Sequence, residues 1–295
     1  MTTMRVPAVA LLLLAGSSAA LDAQSPRLAV HSETGLRLHT IADDPQPALA
    51  LLVPGYDTTT PTIRILFPEH VTVVARGAPA SALHLYMHDA PPARDSGSRP
   101  RWRSAGETIE YERDLPGAVH FVARATVDSD GVRIRYTLTN HSTRDYDMAT
   151  AVTDPRMLGP LHDARLERTW VHLPSGFELI AAEAPVDPSR GPSRYLASYT
   201  WPIPENRAER RADGITYFTK SRRVDAPFIA TTSVDGRWVV ASYARDAGNV
   251  WTNPELTCQH VDPAAPLPAG RTVALEIKLF VMRGSVADAL ARARR

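Results

Sequence analysis

Apolar and polar residues alternate one for one through long stretches of this chain. Residues 119–127 and 132–139 show it most clearly, with Val132, Ile134, Tyr136 and Leu138 falling on one side. Successive side chains of a strand point to opposite faces, so a period of two marks a strand with one buried face. The two stretches are joined by Asp128-Ser-Asp-Gly131, which has Asp and Gly where a tight turn requires positive φ. The pair therefore reads as a β-hairpin. Residues 228–233 and 238–243, linked through Val234-Asp-Gly-Arg237, predict a second hairpin. Residues 272–281 predict a further strand, with Val273, Leu275, Ile277, Leu279 and Val281 facing inward.

Weaker alternation predicts strands over 36–41, 48–53, 62–66, 71–74, 82–86, 108–112, 146–152, 165–172, 177–182 and 215–218. One helix is expected: Ser285 can cap the amides of the Ala-rich stretch 286–294. The fold class that follows is all-β, a large antiparallel sandwich with one short C-terminal helix. No repeat or linker divides residues 24–295, so they are expected to form one domain. Pro-rich stretches at 90–100, 184–192 and 202–213 read as long surface loops, the usual place for sites on a rigid scaffold.

Residues 1–23 have another character. Arg5 gives a positive start, residues 6–15 are apolar, and small residues follow, with cleavage expected after Ala20 or Ala23. This is the pattern of a secretory signal, and its apolar run is about half of what a membrane span needs. The mature chain is thus expected to be exported, to the periplasm or the medium, with no membrane span. The 33 Lys+Arg and 32 Asp+Glu leave a formal charge of +1, so no field favours nucleic acid as a partner. The single Cys258 excludes an intrachain disulfide and any Cys-rich zinc or iron–sulfur centre. His84 and His88 share a face only about 13 Å apart on a strand, too far for one metal. No phosphate loop, metalloprotease helix or serine-hydrolase elbow occurs, and no cofactor or metal is expected.

The stretch Glu255-Leu-Thr-Cys-Gln-His-Val-Asp-Pro263, followed by Leu267-Pro-Ala-Gly270 and the strand 272–281, resembles the end of the galactose mutarotase (aldose 1-epimerase) family. There a strand with a Glu–x–Gln motif runs into a Pro/Asp loop and a final strand. Residues 134–142, Ile-Arg-Tyr-Thr-Leu-Thr-Asn-His-Ser, look like that superfamily's central strand and its Asn-rich turn. The resemblance covers about a third of the chain. It implies a supersandwich whose concave face binds sugars. The family's base stands two residues before the Gln; here Thr257 has that place and Glu255 lies two further back. Where the family has a catalytic His, this chain reads Thr153-Asp-Pro-Arg-Met157.

The densest polar cluster near aromatic residues runs from Trp251 to Asp262. As a sugar site, Trp251 would stack on a pyranose, Asn253, Gln259 and Asp262 would bind hydroxyls, and Glu255 with His260 would move protons. As plain structure, the same groups would tie down a strand end. Asp154 and Arg156 follow a strand expected to end at Val152, where a site loop would begin; a turn-forming Asp explains them equally. Arg194 follows a Pro/Gly-rich loop with Tyr199 and Trp201 nearby. The expectation is an exported carbohydrate-binding protein acting by acid/base chemistry. The alternative is a non-catalytic binding or envelope-structural sandwich.

Overall fold

The computed structural model describes residues 27–295 except 58, 79–81, 88–99, 185–192, 199–206, 211, 213 and 222. The expected export signal, His88, Tyr199, Trp201 and much of the three Pro-rich stretches lie outside the described residues. In chain order the strands are β1 (Ala29–His31), β2 (Arg37–Thr40), β3 (Ala48–Leu52), β4 (Ile63–Ala75), β5 (Ala82–Tyr86), β6 (Arg101–Ala105) and β7 (Thr108–Leu115). Then follow β8 (Val119–Asp128), β9 (Gly131–Asn140), β10 (Tyr146–Met157), β11 (Thr169–Leu173), β12 (Gly176–Leu179), β13 (Ser193–Ser198) and β14 (Arg207–Arg210). The last are β15 (Thr216–Lys220), β16 (Phe228–Thr232), β17 (Val239–Tyr243), β18 (Ala247–Thr252), β19 (His260–Leu267) and β20 (Thr272–Met282). A four-residue helix, α1 (Ile180–Glu183), follows β12, and α2 (Val286–Ala293) closes the chain.

These strands form two large sheets. The larger has the order β1-β2-β3-β4-β10-β19-β18-β13-β15-β14, with β5 also paired to β4; the smaller runs β12-β11-β16-β17-β20-β9-β8-β7-β6. Pairing is antiparallel except between β13 and β15. The expected all-β sandwich with a short C-terminal helix is the architecture observed. The hairpin of β8 and β9 pairs from Val119↔Asn140 to Asp128↔Gly131.

Alternation builds the core. Phe121, Ala123, Ala125 and Val127 of β8 and Val132, Ile134, Tyr136 and Leu138 of β9 are buried, and they join Ile63, Ile65, Phe67, Ala149, Ala151 and Val261 of the larger sheet in one cluster. Phe67 meets Tyr111 edge-on at 5.5 Å between ring centroids, and Phe121 stacks on Tyr136 at 5.6 Å. Each such pair contributes about 0.5–1.5 kcal/mol beyond the area it buries. The buried phenols also find partners across the sandwich: Tyr111 Oη donates to the Phe67 carbonyl at 2.6 Å, and Tyr136 Oη lies 2.6 Å from Thr153 Oγ1.

Three sequence expectations are corrected. Residues 62–66 and 71–74 belong to one strand, β4; the register against β10 jumps from His70↔Val152 to Leu66↔Asp154, so a bulge absorbs the intervening Pro68 and Glu69 that broke the alternation. β10 does not stop at Val152 but runs to Met157, which places Asp154 and Arg156 on a strand rather than a loop. The strand predicted from 165 begins at Thr169, because the Asp163 carboxylate accepts from the amides of Glu167 and Arg168 and from Thr169 Oγ1, and holds the preceding residues in a turn. Among the described residues, no helix is long and apolar enough to cross a membrane.

Candidate functional site

β10 and β19 lie side by side at the middle of the larger sheet. Their inward residues, including Ala149, Ala151, Val261 and Leu267, fill the core. Alternation then turns Asp154 and Arg156 of β10, and His260 and Asp262 of β19, to the face away from the smaller sheet. Cross-strand partners share a side, so the Arg156↔Cys258 bridge and the Trp251↔His260 pair bring Cys258 and Trp251 to that same face. The β4 bulge delivers Glu69 and His70 to its edge.

The result is a polar floor with a rim. Asp154, Cys258 and His260 are 2%, 0% and 1% exposed. His260 Nε2 stands 3.4 Å from Asp154 Oδ1, and Nδ1 stands 3.8 Å from Asp262 Oδ1. The Trp251 indole stacks on the imidazole, with centroids 3.5 Å apart and planes 11° from parallel, and donates from Nε1 to Asp262 Oδ2 at 2.9 Å. Arg156 Nε donates to Asp154 Oδ2 at 2.6 Å, and its other end lies 3.9 Å from Glu69. The side chains of Glu69, Arg156 and His70 are partly exposed and form the rim. Thr72 Oγ1, 2.8 Å from His84 Nδ1, continues this face outward.

Burial and charge pull these groups in different directions. Burial opposes a charge on His260, but the Cys258 sulfur and the Asp154 and Asp262 carboxylates outweigh it and hold the imidazole well above its ordinary value. Burial would raise Asp154; His260 and Arg156 outweigh it and keep its carboxyl below the usual range. Glu69 goes the other way: burial and the nearby Asp154 charge raise it. Burial brings His70 down to about 4, so it is neutral at pH 7. Two carboxylates pushed apart within one cluster is the pattern that separates a proton donor from a permanent anion.

The candidates that the sequence suggests divide accordingly. Trp251, His260, Asp262, Asp154 and Arg156 come together. Gln259 faces the opposite way: Nε2 donates to Thr231 Oγ1 at 3.0 Å and the Val240 carbonyl at 3.1 Å, and Oε1 accepts from Ser242 Oγ at 3.0 Å. It ties β19 to the smaller sheet. Asn253 is buried beneath the face, where Nδ2 donates to Cys258 Sγ at 2.8 Å and Oδ1 accepts from the Leu256 amide. Glu255 does not share a strand face with Gln259. Residues 254–257 form a turn, Thr257 has φ of +45°, and Glu255 is exposed, with its carbonyl 3.1 Å from His162 Nε2. Arg194 lies on β13, paired with Tyr217. Sequence reasoning missed Glu69, His70 and Cys258. The first two are delivered by a bulge that no periodicity announces. Cys258, which the sequence singles out only as a lone cysteine, is buried among polar groups.

A groove of about 700 Å³ lies elsewhere, beside α2 on the smaller sheet, lined by Asp128, Asp130, Arg133, Arg245, Lys278 and Arg292. It touches none of the residues above, and several of its charges are paired with each other.

No family model matches the chain, and no curated protein matches it by sequence. Solved structures do. An α-N-acetylgalactosaminidase from Bifidobacterium bifidum, in complex with GalNAc, is 10% identical with a TM-score of 0.51, over 92% of this chain and 38% of that one. A galactose mutarotase related enzyme from Lactobacillus acidophilus is 10% identical with a TM-score of 0.48, over 88% of this chain and 99% of that one. A putative aldose 1-epimerase from Escherichia coli K12 is 10% identical with a TM-score of 0.45, over the same shares. The likeness is one of fold alone: like these structures, the chain is a large antiparallel β-sandwich.

Proposed function

We propose that this is an exported carbohydrate-binding protein whose site is the outer face of the larger sheet around Trp251. The observation that carries the reading is the Trp251 arrangement. One face of the indole is covered by His260, its N–H is fixed on Asp262, and the ring is only half-buried; in this reading its exposed part is the platform for a pyranose. The rim groups Arg156, Glu69 and His70 supply charged and neutral hydrogen-bonding partners for hydroxyls beside it. An apolar platform with a few placed polar groups is what small-ligand sites generally offer. Export rests on the character of residues 1–23 alone. The Bifidobacterium enzyme's GalNAc complex adds a hexosamine to the sugars worth testing.

A second reading, turnover of the bound sugar, is favoured by one observation: Glu69 is raised while Asp154 is lowered in the same cluster. In that reading Glu69, not the exposed Glu255, donates the proton. One experiment addresses both. Binding of the purified protein to a broad set of mono- and oligosaccharides, GalNAc included, is measured by calorimetry. We expect Trp251→Ala to weaken binding by tenfold or more, about 1.4 kcal/mol. Glu69→Gln should leave binding within about threefold while abolishing any turnover. Absence of affinity for every glycan would overturn the sugar reading; turnover unchanged in Glu69→Gln would overturn the second.

A further inference from the structure

We propose that Asp154, Cys258 and His260 form a binding site for a divalent cation of the zinc class. One carboxylate oxygen, the sulfur and one imidazole nitrogen lie within 4.8 Å of one another, and all three residues are buried. The sequence gives no ligand spacing to announce this. Asp154 comes from β10, while Cys258 and His260 flank the inward-facing Gln259, so strand alternation puts them on one face.

What separates the cluster from a packed polar patch is how each residue is held. Arg156 occupies Asp154 Oδ2, and the buried Oδ1 is left without a hydrogen-bond partner. Buried carboxylate oxygens are almost always satisfied, so one that faces an imidazole nitrogen at 3.4 Å without a hydrogen bond, beside a thiol, asks for an occupant. Asn253 Nδ2 donates to Cys258 Sγ at 2.8 Å, which steadies the negative sulfur that a metal requires. Trp251 clamps the His260 ring by stacking. Asp262 Oδ1, itself without a hydrogen-bond partner, faces the Nδ1 side of that ring while Asp154 faces the Nε2 side. A carboxylate beyond the far nitrogen is the usual support of a ligating imidazole.

The donor set selects the ion. Calcium and magnesium take oxygen ligands, whereas mixed sulfur, nitrogen and oxygen donors suit zinc and its neighbours. Binding replaces by the metal both the thiol proton and the proton on the imidazole nitrogen that faces Asp154, and both are released to solvent. Three protein ligands leave one position of a tetrahedral ion for water or another donor. The proposal stands independently of the sugar reading.

The test uses the untagged full chain, stripped with chelator and titrated with Co²⁺. We expect one equivalent to saturate, with a near-ultraviolet thiolate-to-cobalt charge-transfer band that Zn²⁺ then bleaches. The chain has one Cys, so this band reports on Cys258 without any variant. Cys258→Ser should remove the band, and Asp154→Asn should weaken Zn²⁺ binding by at least about tenfold. Both variants are checked for native circular dichroism. No binding of Co²⁺ or Zn²⁺ at micromolar concentration would overturn the proposal, as would cobalt binding without the thiolate band or an unchanged affinity in a folded Asp154→Asn variant.

Discussion

Single residues fix the geometry at two places. Gly131 opens β9 at φ of +148°, a conformation that residues with a side chain rarely adopt. A Cβ built there would lie 1.9 Å from the Leu279 carbonyl oxygen of β20, so backbone would have to move. We expect Gly131→Ala to cost about 3 kcal/mol or more, from backbone strain and overpacking together. The measurement is the thermal midpoint, which should fall by roughly 6–12 °C for a chain of this size; a fall under 2 °C would refute the clash. The turn Asp and Gly at 128–131 are legible in sequence because positive φ has its own residue preference. The second place is the 253–257 turn, held by Asn253 and the positive φ of Thr257. It was not legible: a threonine in that conformation breaks the usual preference, and the alternation of Glu255, Thr257 and Gln259 imitates a strand.

At the scale of elements, α2 shows how a short helix is held. Ser285 and Asp288 form a reciprocal capping box, and Ala289 and Leu290 pack on Phe280, Ala241 and Ala230. Arg292 of the helix and Lys278 of β20 both donate to Asp130 in the β8–β9 turn, at 2.7 Å each. Burial pushes the Asp130 carboxyl up, but these two cations outweigh burial and hold it well below the ordinary range. A depressed carboxyl stabilises the fold above its unfolded value near 3.8, and the contribution is lost as pH falls from there toward the folded value. We therefore expect Asp130→Asn to destabilise at pH 7 by about 1–2 kcal/mol. The deficit relative to wild type should hold down to about pH 5 and shrink below about pH 4. Urea melts across this range check it; a deficit independent of pH would sink the linkage. The helix and its cap were readable from Ser285 and the Ala-rich run. Strands β18 and β19 were not: Pro263 and Pro266 obscure the alternation of β19, and β18 opens on Ala247-Gly-Asn, which carries no apolar alternation.

For the whole molecule, the sandwich was legible because it repeats one signal: alternation closed by turn residues. The site was legible only in part. Trp251, His260 and Asp262 sit close in sequence and are found together, whereas Glu69 and Asp154 are joined to them by sheet order, which no local pattern encodes. The proposed export is tested at this scale as well. Protein recovered from periplasm or medium should begin after Ala20 or Ala23 by N-terminal sequencing; recovery solely from cytoplasm with Met1 intact would refute export.

The placement of Gln259 between Cys258 and His260 has a consequence for how such a molecule can change. Its amide is anchored to β16 and β17 by three buried hydrogen bonds, so the floor of the outer face is bolted to the opposite sheet. A ligand pressing on Cys258 or His260 works against the stiffness of the entire sandwich. New specificity would therefore arise at the periphery, through Glu69, His70 and Arg156, while the centre stays constant. The molecule is divided into an anvil that cannot move and a margin free to vary.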